Sequence, residues 1–169
     1  MFERAVIIGV GLIGGSLALA LKKNDLVREV IGISRSPDTL AEAVHLGVID
    51  SGGTRLEQAH VDGADLIFIA TPLGAFPAVF DRLASLELEA DVLITDGGSA
   101  KQHVIDAARA AFGDALPGGF VPGHPIAGKE LSGVAAADAE LYVDHRVILT
   151  PAESSDARAV KRVESMWQA

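Results

Sequence analysis

The chain contains no cysteine, which excludes disulfide cross-links, thiolate metal sites and thiol catalysis together. That composition suits a reducing cytoplasm, the compartment expected here. Positive charge is sparse too. The 14 Lys and Arg stand against 23 Asp and Glu, a net charge of −9, and the basic residues are scattered rather than clustered. Nucleic acid and anionic membranes both require a dense basic face, so neither is an expected partner. Metal-ligand spacing is also missing: His45, His60, His103 and His145 stand apart and read as surface residues, and no metal is expected. Internal repeats and low-complexity stretches are absent.

What is present is a globular composition, 49% apolar and 22% charged over 169 residues, enough for one domain with a real core. The uncharged run Ala5 to Leu21 follows Arg4 and ends in Ala18-Leu19-Ala20, which superficially resembles a signal peptide. As a helix it would reach only ~26 Å, short of the ~30 Å of a hydrocarbon core. It also contains Gly9, Gly11, Gly14 and Gly15, at spacings an export helix does not need. The run is better read as strand, tight loop and helix.

Strand and helix patterns alternate beyond it. Arg4–Ile8, Val30–Ile33, Leu66–Ala70 and Val92–Thr95 read as short apolar strands, with Phe120–Val121 and Val147–Leu149 as later ones. Helices are expected over Leu17–Lys23, from Ser36 as N-cap and Pro37 at the first position to Gly47, and over Ala75–Leu86 and Ala100–Phe112. Ser155 is expected to cap a last helix with Ala157, Val160, Val163 and Trp167 on one face. Buried apolar strands between amphipathic helices imply an α/β fold: a doubly wound, mostly parallel sheet with helices on both faces.

Gly9-Val10-Gly11-Leu12-Ile13-Gly14 is a GxGxxG sequence, and its place between a first strand and a first helix makes it informative. Gly9 permits the tight turn, Gly11 lets the backbone approach a pyrophosphate, and Gly14 lets the helix lie close on the strand. N–H groups at the start of the helix, from Leu12 and Ile13 onward, then face the phosphates. This is a Rossmann dinucleotide loop. About 20 residues further on, an NAD site usually carries an acid for the ribose 2′-hydroxyl. Here that place is taken by Ser34-Arg35-Ser36. A carboxylate there would repel a 2′-phosphate by on the order of 4 kcal/mol at ~4 Å and an effective dielectric near 20. This chain offers a guanidinium and two hydroxyls instead, so NADP is favoured and NAD remains allowed. Thr71-Pro72 closes a strand at the carboxyl edge, where such sheets bind ligands, and reads either as a cofactor-lining turn or as a strand terminator.

Two further segments sit at strand ends. Thr95-Asp96-Gly97-Gly98-Ser99-Ala100-Lys101 brings Ser99 near a helix N-terminus. Pro122-Gly123-His124-Pro125-Ile126-Ala127-Gly128-Lys129-Glu130 holds His124 between glycine and proline in an expected loop. There it has little side-chain freedom and could be a reacting group.

Together GVGLIGGSLALAL, IATP, TDGGSAK and GHPIAGKELSG, in this order and separation, resemble the N-terminal nucleotide-binding domain of the prephenate/arogenate dehydrogenases of tyrosine biosynthesis, over nearly the whole chain. The resemblance implies oxidative decarboxylation of prephenate, or oxidation of arogenate, with NADP or NAD as acceptor. It implies that His124 is the catalytic histidine and that Ser99 lies beside the nicotinamide and the substrate hydroxyl. Lys129 and Glu130 then fall in the segment bordering the substrate pocket. As hydride leaves the ring carbon for the nicotinamide, the hydroxyl must lose its proton, and a neutral imidazole is suited to accept it. Loss of carbon dioxide then makes the ring aromatic. Family members carry a second, helical domain that dimerises and supplies basic residues for the substrate carboxylates. Residues 1–169 are expected to be the NAD(P)-binding domain alone, with Lys101 and Lys129 the only local counter-charges. The full-length protein is expected to be a homodimer, and the isolated domain to turn over poorly. A non-catalytic dinucleotide sensor explains the length but not His124 and Ser99. Another two-domain NAD(P) reductase would require a catalytic lysine on a later helix.

Overall fold

Strand side chains alternate between two faces, and the central strands of this chain are apolar on both. The computed structural model describes residues 1–114 and 116–169. In it β1 (Phe2–Ile8), β2 (Val27–Ile33), β3 (Ser51–Gly53), β4 (Leu66–Ile69) and β5 (Leu93–Asp96) form one sheet in the order β3-β2-β1-β4-β5. Every pairing within it is parallel. Ala5, Ile7, Leu66, Phe68 and Leu93 point to one face, where α1 (Leu12–Lys23), Ala43 of α2 (Pro37–His45) and α6 (Ala157–Gln168) cover them. Val6, Ile8, Ile67, Ile69 and Ile94 point to the other. There α3 (Gln58–Val61), α4 (Phe76–Ala84) and α5 (Lys101–Phe112) cover them. The fold is the doubly wound α/β sheet expected from the pattern. On the second face Phe80 meets Phe76, Phe112 and Phe120 with ring centroids 5.5–6.2 Å apart. Burying each such ring contributes about 1.5–3 kcal/mol.

Local chemistry explains most element ends. Ser36 caps α2, its hydroxyl accepting the Thr39 N–H at 3.2 Å, with Pro37 in the first turn. Beyond α2, Gly47 takes the left-handed conformation, φ +70°, that a helix C-terminus favours. Among the described residues no helix is long and apolar enough to cross a membrane.

The structure corrects several expectations. The last helix is capped by Asp156, whose carboxylate accepts the Arg158 N–H at 2.7 Å. Ser155 instead donates to the Phe120 carbonyl at 2.6 Å. The inward face of α6 is Ala159, Val160, Val163, Met166 and Trp167, while Ala157 is exposed. Phe120 makes only a one-residue parallel bridge to Ile94 beyond β5, since Pro122, which has no N–H, soon follows it. The strand proper is β6 (Gly123–Pro125), antiparallel to β7 (Val147–Leu149), so His124 lies in a hairpin rather than a loop. Neither β3 nor α3 shows in the sequence pattern. Ser51-Gly52-Gly53 has no apolar signal, and it pairs with β2 at a place where a Cβ on Gly52 would overlap the Gly32 carbonyl oxygen and lie 2.9 Å from the Leu40 side chain.

Gly14 packs with no room to spare. A Cβ there would overlap the Gly9 carbonyl oxygen and lie 2.8 Å from the Ile7 side chain, whereas a Cβ on Gly11 meets nothing within 4 Å. Gly14→Ala should therefore cost about 3 kcal/mol or more through overpacking. Gly11→Ala should cost no more than about 1 kcal/mol. Urea unfolding of both variants checks this, and equal losses would contradict it.

Candidate functional site

A parallel sheet delivers all its strand ends to one edge. After β1 the chain turns at Gly9, which has φ +100° and donates its N–H to the Ile33 carbonyl at 2.8 Å. A Cβ on Gly9 would stand 2.6 Å from the Ala70 carbonyl oxygen, so the turn presses against the end of β4. Gly11 is the N-cap of α1 and offers no side-chain cap, and the first turn holds no acid. Gly15 is the first to bond back, to the Gly11 carbonyl at 2.8 Å. The N–H groups of Leu12, Ile13 and Gly14 are left without helical acceptors. With open space above Gly11, this is a concave, positively polarised cradle for an anion.

At the end of β2, Ser34 is half-buried and its hydroxyl accepts the Ser36 N–H at 3.4 Å. The Ser36 hydroxyl is engaged as the α2 cap. Arg35 is exposed and has no ion-pair partner among the described residues. Of the three, only the guanidinium is uncommitted. At the end of β4 the Thr71 hydroxyl is buried without a hydrogen-bond partner, and Pro72 leads into a short 3₁₀ turn.

The end of β5 is the most tightly organised part. Asp96 is 0% exposed. It accepts the Gly98 N–H at 2.8 Å and the Gly123 N–H at 3.1 Å, and it pairs with the Lys101 ammonium. Lys101, 14% exposed, also donates to the Gly123 carbonyl. Burial pushes the Asp96 carboxyl up and the Lys101 ammonium down, each opposed by the other's charge. Gly97 lies so near the glycine loop that a Cβ would meet Ile13 at 2.9 Å. Ser99 is exposed between Asp96 and Lys101, and half-exposed His124 directly follows Gly123. The fold thus brings the glycine loop, Thr71, Ser99 and His124 to one edge. Lys101 is not the free counter-charge expected of it, because its ammonium is already committed.

Lys129 and Glu130 follow the strand that carries His124. Both are exposed on the segment after the hairpin, and Lys129 pairs with Asp138 and holds that carboxyl below the usual range. This segment straps onto α1. The Asp138 N–H donates to the Ser16 hydroxyl at 2.9 Å, and the Tyr142 hydroxyl donates to the Ile13 carbonyl at 2.6 Å. Burial pushes the Tyr142 phenol up. Asp96, Ser16 and Tyr142 had no pattern that singled them out, though Asp96 stands inside the TDGGSAK segment. Among the described residues no three His, Cys, Asp or Glu side chains gather as a metal site.

Comparison with known proteins agrees with the fold. The family model for the prephenate dehydrogenase nucleotide-binding domain matches residues 17–169. A prephenate dehydrogenase of Bacillus subtilis is 40% identical over 98% of this chain and 44% of its own length. A cyclohexadienyl dehydrogenase of Zymomonas mobilis is 37% identical over 99% of this chain and 56% of its own. The crystal structure of prephenate dehydrogenase from A. aeolicus with hydroxyphenyl propionate and NAD+ superimposes with a TM-score of 0.89 at 32% identity, covering 99% of this chain and 57% of that one. The chain spans about half the length of the curated relatives it matches. It belongs to the prephenate dehydrogenase family, as the nucleotide-binding domain of that family.

Proposed function

We propose that this chain binds a nicotinamide dinucleotide, with NADP preferred, and that in the full-length protein His124 and Ser99 carry out the oxidation of prephenate or arogenate. The cofactor reading is supported by the fit of the residues. Gly11 leaves room that any side chain would fill, the first turn of α1 is uncapped, and the Thr71 hydroxyl lacks a partner at the same edge. Gly9, Gly11, Leu12, Ile13 and Gly14 would hold the pyrophosphate. Ser34, Arg35 and Ser36 would meet the adenine ribose and its 2′-phosphate, and Thr71 and Pro72 would line the cleft towards Ser99. When bound, the nicotinamide supplies the acceptor for the two electrons and the hydrogen that leave the substrate ring.

The chain's own residues would handle the proton. In this reading the His124 imidazole takes the proton of the ring hydroxyl as general base, and the Ser99 hydroxyl holds that same oxygen in register. The ring carboxylate of prephenate then leaves as carbon dioxide and the ring becomes aromatic. Lys129 and Glu130 border the substrate side of the cleft, and the full-length protein is a homodimer. The observation that carries the proposal is the convergence of the open Gly11 cradle with Ser99 and His124 on one sheet edge.

Calorimetry on the chain tests the cofactor assignment. Gly11→Val should abolish dinucleotide binding while the melting temperature holds. Arg35→Ala should weaken NADP by about tenfold, or ~1.4 kcal/mol, and leave NAD unchanged. Unchanged NADP affinity in Arg35→Ala would remove the basis for the preference.

Steady-state kinetics on the full-length protein tests His124. His124→Asn keeps size and hydrogen-bonding capacity but cannot act as a base, so cofactor affinity should persist while kcat falls by on the order of 10²–10⁴. Near-normal turnover would make His124 structural only.

A further inference from the structure

We propose that the buried Asp96–Lys101 ion pair is the positioning device for His124, holding both polar groups of Gly123 and through them the direction of the histidine. The inference rests on the catalytic assignment of His124 made above. It begins with the register of the β6–β7 hairpin. Thr150 donates to the Pro122 carbonyl at 2.9 Å and Ile126 to the Arg146 carbonyl at 2.8 Å, with His124 opposite Ile148 between them. In an antiparallel ladder the residues between bonded positions turn their N–H and C=O groups away from the partner strand. Gly123 and Pro125 hold those places. Pro125 has no N–H to satisfy. Gly123 has both groups and is buried, so each needs a partner away from β7.

Asp96 and Lys101 are those partners. The Asp96 carboxylate accepts the Gly123 N–H, and the Lys101 ammonium donates to the Gly123 carbonyl. Glycine suits this close approach, since a Cβ at residue 123 would lie 3.0 Å from the Asp96 carbonyl oxygen and 3.2 Å from the Thr95 hydroxyl, and both would have to give way by a few tenths of an ångström. Among the described residues no hydrogen bond reaches the His124 ring, so its orientation is inherited from the backbone on either side. Pro125 restricts that backbone to extended conformations, and the Gly123 clamp fixes where it starts.

The same pair closes the loop that carries Ser99. Asp96 accepts the Gly98 N–H from one side and binds the first residue of α5 from the other. A buried ion pair is a poor source of stability, because desolvation offsets the attraction and apolar side chains of similar volume often do as well. Apolar side chains could not hold a peptide N–H and C=O at once. Neither Asp96 nor Lys101 needs to touch the substrate. Both are positioning residues.

The test follows the histidine ring by ¹H–¹³C NMR in this chain, saturated with NADP, with the His124 signal assigned by its loss in His124→Asn. Lys101→Met keeps the length of the side chain and removes the donor. In it the His124 resonance should double or broaden and the Gly123 amide should exchange faster. The resonances of His45, His60 and His145 should stay put, and dinucleotide affinity should change by less than about threefold. In the full-length protein kcat should drop by about 10²-fold with KM nearly constant, the usual result of slight misplacement of a reacting group. If Lys101→Met does not fold, Asp96→Asn/Lys101→Met, which buries no unpaired charge, carries the same readouts. A folded variant with a single, unshifted His124 resonance overturns the proposal. Failure of the catalytic assignment would show separately, as an unimpaired His124→Asn, and leaves the NMR result to decide the clamp.

Discussion

The approach of α1 to β1 sets the geometry of everything above the sheet. Residue 14 has no room for a Cβ between the Gly9 carbonyl and Ile7, and residue 9 has none against Ala70. Because the helix is held that close, its first turn projects unpaired N–H groups directly over the ends of β1 and β4. Gly97 can then lie on Ile13, which brings the end of β5 alongside. The strap from Val134 to Tyr142 reaches the same helix through Ser16 and the Ile13 carbonyl. A helix displaced by the width of one methyl group would lose each of these contacts.

The parts legible in the sequence were those governed by local rules. The glycine spacing, the Ser36-Pro37 helix start and the four apolar strands of the central sheet each follow from a few adjacent residues, and each lies within a few residues of where the pattern put it. The parts that were not legible depend on partners far away in the chain. β3 has no apolar signal and exists because β2 offers it an edge. His124 reads as a loop residue until β7, more than twenty residues on, is seen to pair with it. Ser155 has the composition of a cap, but the Phe120 carbonyl competes for its hydroxyl and Asp156 takes the role. Lys101 looked like a free cation because the burial of Asp96 cannot be read from the motif they share.

Charge is used economically. With a net charge of −9, the basic residues near the sheet edge are few, and most have structural duties. Lys101 is committed to Asp96 and Gly123 and Lys129 to Asp138, while at the far end of α1 Lys22 is held by Asp50 and the Gly47 carbonyl. Arg35 is the exception among them, exposed after β2 with no ion-pair partner among the described residues. A local field built this way acts through a few placed groups and not through a broad basic surface.

Trp167, the sole tryptophan, stands edge-on to Phe68 of β4 and to Tyr142 of the strap, with centroids 6.1 and 5.0 Å away. Tyr142 in turn holds the first turn of α1 through the Ile13 carbonyl. The chain therefore carries its single indole at the junction of its last helix, its sheet and the tether to its glycine loop. Its emission arises from a single environment, so an optical signal from that indole reports on the docking of the C-terminal helix and the seating of the strap at once, without any added label.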